Sequence, residues 1–458
     1  MKKLVPRALL ALSLSLVLSC GGGGGGGRNG GTALTGSNGP VVAPTSDTTS
    51  QIEFGFKAVL SSGGAANDSS GGPGGTSTAS AGDSSGIGSG GTGATASGGD
   101  NSGVGSGGTG ATASAGDSGD AGVGGVDGVG SIIINDVRYD TSTAILKLRD
   151  APSLQLGMTA KVIGPTNADF TEGVATQVES AADLRGAITS SDLAAGTFVV
   201  LGINVITDSG TVWGNLSALE PGVAVTVWGL PAGPGALRAT RVEHHAPETP
   251  ILSGTVQNVA PGTFMLGGLT IDTRAAKTEA GALTSGVNVR VRADAQPSSG
   301  VLKASSVELW YPLSLNNGAR RQLGGVVTEY AGASFFRLLG IPVDASSAKV
   351  SGAPLTSLAN GVEVDVAGTV SNGILLATKI KVKKTPGGGG NSDAFQVMGP
   401  IGAFKSSSDF KVKGQAVNAT HAQFINGTQA NLRNGTKVTI TGDRIDNDVL
   451  NATRVAFD

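Results

Sequence analysis

The sequence predicts an all-β protein: a tandem array of about five small antiparallel β-barrel domains behind a disordered Gly-rich N-terminal tether. Three observations lead there. From Gly128 onward apolar residues alternate with polar ones, the period of half-buried strands, and no stretch carries the 3.6-residue period of a useful helix. A Leu-x-x-Gly motif recurs along the same stretch at the spacing of a small domain. Finally, 458 residues include 76 glycines and only 4% aromatics, which suits several modest Val/Ile/Leu cores better than one large one.

The N-terminus reads as an address. Lys2, Lys3 and Arg7 form a positive segment, and Leu9 to Leu18 is an apolar run too short to span a bilayer stably. Val17-Leu18-Ser19-Cys20 follows and holds the only cysteine of the chain, so neither an internal disulfide nor a cysteine-based metal site is available. This stretch resembles the lipobox of bacterial lipoproteins, with Leu18 an unusual residue at its position. The resemblance implies a signal peptide over 1–19 and acyl chains on Cys20; more than one chain gives stable anchoring. Gly21, where an Asp would signal inner-membrane retention, implies an outer-membrane lipoprotein of the cell envelope, facing the periplasm or the surface.

Residues 20–127 are expected to be that tether. Gly21 to Gly27 is unbroken glycine, and the stretch from Gly88 to Ser97 recurs almost intact as Gly105 to Ser114. Such a composition buries too little apolar surface to offset chain ordering. One apolar island, Ile52 to Leu60, is a candidate to form an edge strand or to dock on the first domain. Apparent motifs here are compositional. Gly82-Asp83-Ser84-Ser85-Gly86 fits a nucleophile elbow but has no flanking strand or helix. Gly86/Gly88/Gly91 and Gly103/Gly105/Gly108 fit GxGxxG without a strand before them. Asp117, Asp120 and Asp127 match no calcium-loop spacing.

The repeat then begins. Leu154/Gly157, Leu219/Gly222, Leu358/Gly361 and Leu432/Gly435 each precede alternating apolar residues that end at Gly164, Gly229, Gly368 and Gly442. A degenerate copy starts at Leu283/Gly286 and has Ala293 in place of the final Gly. Each copy continues into Ala175/Val178, Ala239/Val242, Ala304/Val307, Ala377/Ile380 or Ala452/Val455. A Phe strand precedes each of the last four motifs: Phe198, Phe264, Phe335/Phe336 and Phe410. The implied domains are 128–180, 181–248, 249–312, 320–384 and 394–458, with a Gly-rich linker at 385–393. In the second, Val223, Val225 and Val227 share the core face; in the fourth, Val362, Val364 and Val366 do, with Glu363 and Asp365 expected to face water. About five short strands per domain suit a small, partly open OB-like barrel. These units, with the opening Gly130 to Asp140, resemble the bacterial domain of unknown function DUF5666, over about 128–458. That family name implies no activity.

Chemistry is sparse. Net charge is −2, with 32 basic against 34 acidic residues, so the basic excess of a nucleic-acid binder is absent. His244 and His245 fit an interdomain linker, and His421 has no counterpart in other units. Asp140, Asp272, Asp344 and Asn418 recur after a strand and read as turn caps. Asp443, Asp446 and Asp448 read as a solvated turn. Trp228 occupies the outward face if the flanking valines point inward, which makes it the first ligand-binding candidate; Trp213 and Tyr330 join it, and Trp310 and Tyr311 follow, with packing between adjacent barrels as the other and favoured reading. No catalytic residue, metal ligand or cofactor is expected. The expectation is a non-enzymatic, membrane-anchored array that binds carbohydrate or another envelope polymer. The alternative is a purely structural spacer with protein partners.

Overall fold

The computed structural model describes residues 119–458 apart from 193, 217, 280, 282 and 385–394. Cys20, the lipobox, the motifs of the tether before residue 119 and the 385–393 linker lie outside the described residues. The rest is strand and turn. Two short 3-10 turns, Leu355–Ser357 and Gln429–Asn431, are the only helical elements among the described residues. No helix there is long and apolar enough to cross a membrane.

One circuit of strand pairing occurs five times, over 121–180, 184–244, 251–309, 320–384 and 395–457. Repeat 4 shows it plainly. Its first strand, Arg320–Gly332, pairs antiparallel with the second, Phe335–Leu338, which pairs with the third, Ile341–Asp344. The third runs parallel to the last strand, Ile374–Lys384. That strand pairs antiparallel with Glu363–Ser371, which returns to the first and closes the ring. The short strand Lys349–Gly352 extends the parallel edge. Repeat 1 follows the same order although its sequence is the most divergent.

The motif residues have local reasons. Gly157, Gly222, Gly286, Gly361 and Gly435 all hold φ between +80° and +93°, a conformation that strains any L side chain. At Gly368 and Gly442 the ladder to the last strand shifts register, and a Cβ would collide with the carbonyl of Leu376 or Asn451. Ala175/Val178 and its counterparts are buried inside the rings. So are Phe198, Phe264, Phe336 and Phe410, each contributing about 1.5–3 kcal/mol by burial. Repeat 1 keeps an aromatic by exchanging partners across the ladder. Phe198 pairs with Val205 in repeat 2, whereas Ile132 pairs with buried Tyr139 at the matching position.

The expectation of separate barrels is corrected, because the ladders join. Ile251 and Leu252 of repeat 3 pair with Arg185 and Leu184 of repeat 2. Ala121–Val129 pairs within repeat 1, and also runs parallel to Arg321–Leu323 of repeat 4 and Gln396–Val397 of repeat 5. Repeats 1, 4 and 5 thereby share one 19-stranded sheet. This strand also corrects the tether boundary, since Ala121 to Asp127 is ordered structure. Its composition imitates spacer for a physical reason. A Cβ at Gly122 would press on Gln322, and one at Gly124 would collide with Asn135. At these two positions only glycine fits the strand between its neighbours.

Candidate functional site

The side chains with most chemistry lie in the seams between repeats. Asp183 is the hub of the seam joining repeats 1, 2 and 3 and is fully buried. Its Oδ1 accepts from Trp310 Nε1 at 2.6 Å and Arg290 Nη2 at 2.9 Å. Its Oδ2 accepts from Thr159 Oγ1 at 2.6 Å and the Gly229 amide at 2.9 Å. Four donors saturate the carboxylate, as a buried charge requires. The Arg290 guanidinium lies 4.9 Å from the Tyr311 ring centroid and donates to the Ala182 carbonyl at 3.0 Å. Tyr311 Oη accepts from the Ala181 amide at 2.9 Å and donates to the Thr159 carbonyl at 3.1 Å.

A second cluster surrounds a cavity of about 50 Å³ among repeats 1, 2, 4 and 5. Arg238 pairs with Asp208 of its own repeat and with Glu363 of repeat 4. Lys383 Nζ lies 2.9 Å from Asp365 Oδ2 and 3.5 Å from Asp127. Burial pushes the Asp365 carboxyl up to about 7; Lys383 opposes the shift, and Asp127 and Glu363 reinforce it. Glu363 and Asp365 therefore face a neighbouring repeat, correcting the expectation that they face water.

The aromatic ligand platform is also corrected. Trp228 does lie opposite buried Val225 and Val227, but it is 1% exposed and packs with Met158, Ala182 and Ile251 from repeats 1 and 3 and the segment between repeats. Trp213 is half-buried against the core of repeats 2 and 3, and its carbonyl accepts from the Asp448 amide at 3.2 Å. Tyr330 is half-buried beside Phe336, with ring centroids 6.4 Å apart. Trp310 and Tyr311 are buried in the Asp183 seam. These rings do not form a shared face.

The remaining candidates are local. Asp140, Asp272, Asp344 and Asn418 each accept from the backbone amide two residues on, at 2.9–3.1 Å, as turn caps do. His244 and His421 are exposed, and His245 Nδ1 contacts the Ala246 carbonyl at 2.8 Å. Asp448 pairs with Arg241 of repeat 2, and Asp446 with Arg444 at 2.7 Å. Among the described residues no group of three His, Cys, Asp or Glu side chains is placed to hold a metal ion.

Sequence reasoning missed the seam residues Asp183, Arg238, Arg241, Arg290 and Arg321. A signal was present: in a chain only 14% charged, these arginines sit inside apolar strands, as Arg290 does between Val289 and Val291. Period two assigns such residues to the second face without saying what covers it.

An open groove of about 910 Å³ lies where repeats 2, 3 and 4 meet. It is walled by 231–234, 255–258 and 284–288, with Thr328, Glu329, Arg337 and Asn360 from repeat 4. Its lining mixes uncharged polar and apolar residues in about equal measure, and its two charges, Glu329 and Arg337, pair at 2.8 Å. Such a lining suits hydroxyl-rich, uncharged ligands.

No curated protein matches the chain. A family profile described as a domain of unknown function, DUF5666, matches residues 185–243, 253–308, 324–381 and 398–456, covering repeats 2 to 5 and just over half of the chain. The chain belongs to the DUF5666 family.

Proposed function

We propose that the protein is a lipid-anchored, non-enzymatic envelope protein whose joined repeats offer the grooves between them to an envelope or extracellular polymer. Anchoring rests on the lipobox resemblance at Cys20. We read the closed circuit of strand pairing within each repeat as OB-like, and such faces take extended polymers. The observation that carries the reading is the wide neutral groove among repeats 2, 3 and 4, which favours carbohydrate.

Binding of the full chain in detergent to dextran, isolated peptidoglycan and lipopolysaccharide tests it. Saturable binding that weakens at least tenfold in Gln257→Ala/Asn258→Gly and survives Trp228→Phe is expected. No binding at high micromolar concentration would contradict it. That result would leave the second reading, a structural spacer, which the burial of Trp228, Trp310 and Tyr311 in seams favours.

A further inference from the structure

We infer that a second groove, between repeats 1 and 4, binds acidic groups carried on an extended glycan, carboxylate or phosphate alike; this rests on the polymer-binding reading and adds a ligand class to it. The groove measures about 810 Å³ and differs from the neutral one in charge. Lys349 and Lys379 are register partners on the parallel strands Lys349–Gly352 and Ile374–Lys384. Lys349 is exposed and has no carboxylate partner among the described residues.

Lys379 is half-buried, and burial holds its amine below the usual lysine range. Its Nζ donates to the Phe170 carbonyl at 2.6 Å, which aims it at the groove wall. Arg320 is already committed. It donates to the Thr166 and Asn167 carbonyls at 3.0 and 2.6 Å, lies 4.2 Å from the Phe170 ring centroid, and has Asp120 at 3.3 Å. It shapes the repeat 1 wall and leaves the two lysines to recognise the ligand. Asp169 is the one acid in the lining, so the groove keeps a positive excess. An oxyanion in the groove pairs with Lys349 and with the remaining donors of Lys379, and the hydroxyls of Thr369 and Thr378 stand in the same wall for neighbouring sugar groups. A neutral polymer gains none of the ionic part.

The test is calorimetric titration of the full chain in detergent with polygalacturonate, inorganic polyphosphate, dextran and oligothymidylate, at low salt and at 0.3 M salt. Polygalacturonate, polyphosphate or both should bind, with affinity falling in salt as screening predicts. Binding by one alone identifies carboxylate or phosphate as the preferred source and supports the inference. Lys349→Gln should weaken acidic binding about tenfold and Lys349→Glu should abolish it, while Lys405→Gln should leave it unchanged. An unchanged affinity in Lys349→Glu, or oligothymidylate binding as tightly as the acidic glycan, would overturn the inference. If dextran binds and no acidic probe does, this inference falls alone; if nothing binds, the polymer reading falls with it.

Discussion

The inside of repeat 4 and the seam beside it are built from one strand with opposite chemistries. Along Glu363–Ser371, Val364 and Val366 point into a core with Leu338, Val343 and Ile380. On the other face, Glu363 and Asp365 meet Arg238 of repeat 2 and Lys383. Both faces are buried, so alternation here marks two kinds of interior. The first face closes a repeat; the second joins repeats and needs partnered charge, because an unpaired one would be costly away from water.

The largest test of this contrast lies in the seam. Asp183→Ala should cost about 3 kcal/mol, since it leaves buried Arg290 with only the longer pair to Glu308 at 3.4 Å and leaves Trp310 and Gly229 without their acceptor. Urea denaturation measures it, and a cost below about 1 kcal/mol would mean that the seam contributes little. Inside a ring, Leu338→Ala should cost about 3 kcal/mol through lost burial and a residual cavity. The difference should appear in a second change at each site. Leu338→Met should be nearly neutral, whereas Arg290→Lys should remain costly, because a lysine cannot reproduce the forked contacts to Asp183 and Ala182.

Asp365 sharpens the comparison through pH. Its folded carboxyl titrates at about 7 against 3.8 for an unperturbed group, so the folded state holds its proton more tightly. Stability contributed by this group is present below the unfolded value and is lost as pH rises from about 4 to 7. Asp365→Asn should flatten that part of the stability curve and raise stability at pH 8 by a few kcal/mol at most. Thermal melts from pH 4 to 8 measure this, and an unaltered profile would place the titration elsewhere. The smallest effect is expected at the turn caps. Asp344→Ala removes one exposed side-chain acceptor from Ser346 and should cost about 0.5 kcal/mol.

How much of this was legible follows from what period two encodes. The strands, the five copies, the inward valines and the capping role of Asp140, Asp272, Asp344 and Asn418 all follow from local pattern and turn chemistry. The strand Ala121–Val129 did not, because its glycines answer to contacts that period two does not record: Gly122 with Gln322, far away in sequence, and Gly124 with Asn135 across the next turn. Trp228 was assigned to the correct face, but the cover on that face comes from residues such as Met158 and Ile251. A repeat pattern describes each unit's own ladder. It carries no record of which unit lies against which, and the seams and grooves exist only at that level.

Calorimetric unfolding of the full chain tests the central claim, that buried seams make the repeats one body. The expected result is a single transition for the repeats, with calorimetric and van't Hoff enthalpies in agreement, that Asp183→Ala broadens or divides. Several independent transitions in the unmodified chain, each with the enthalpy of one repeat and insensitive to Asp183→Ala, would contradict it.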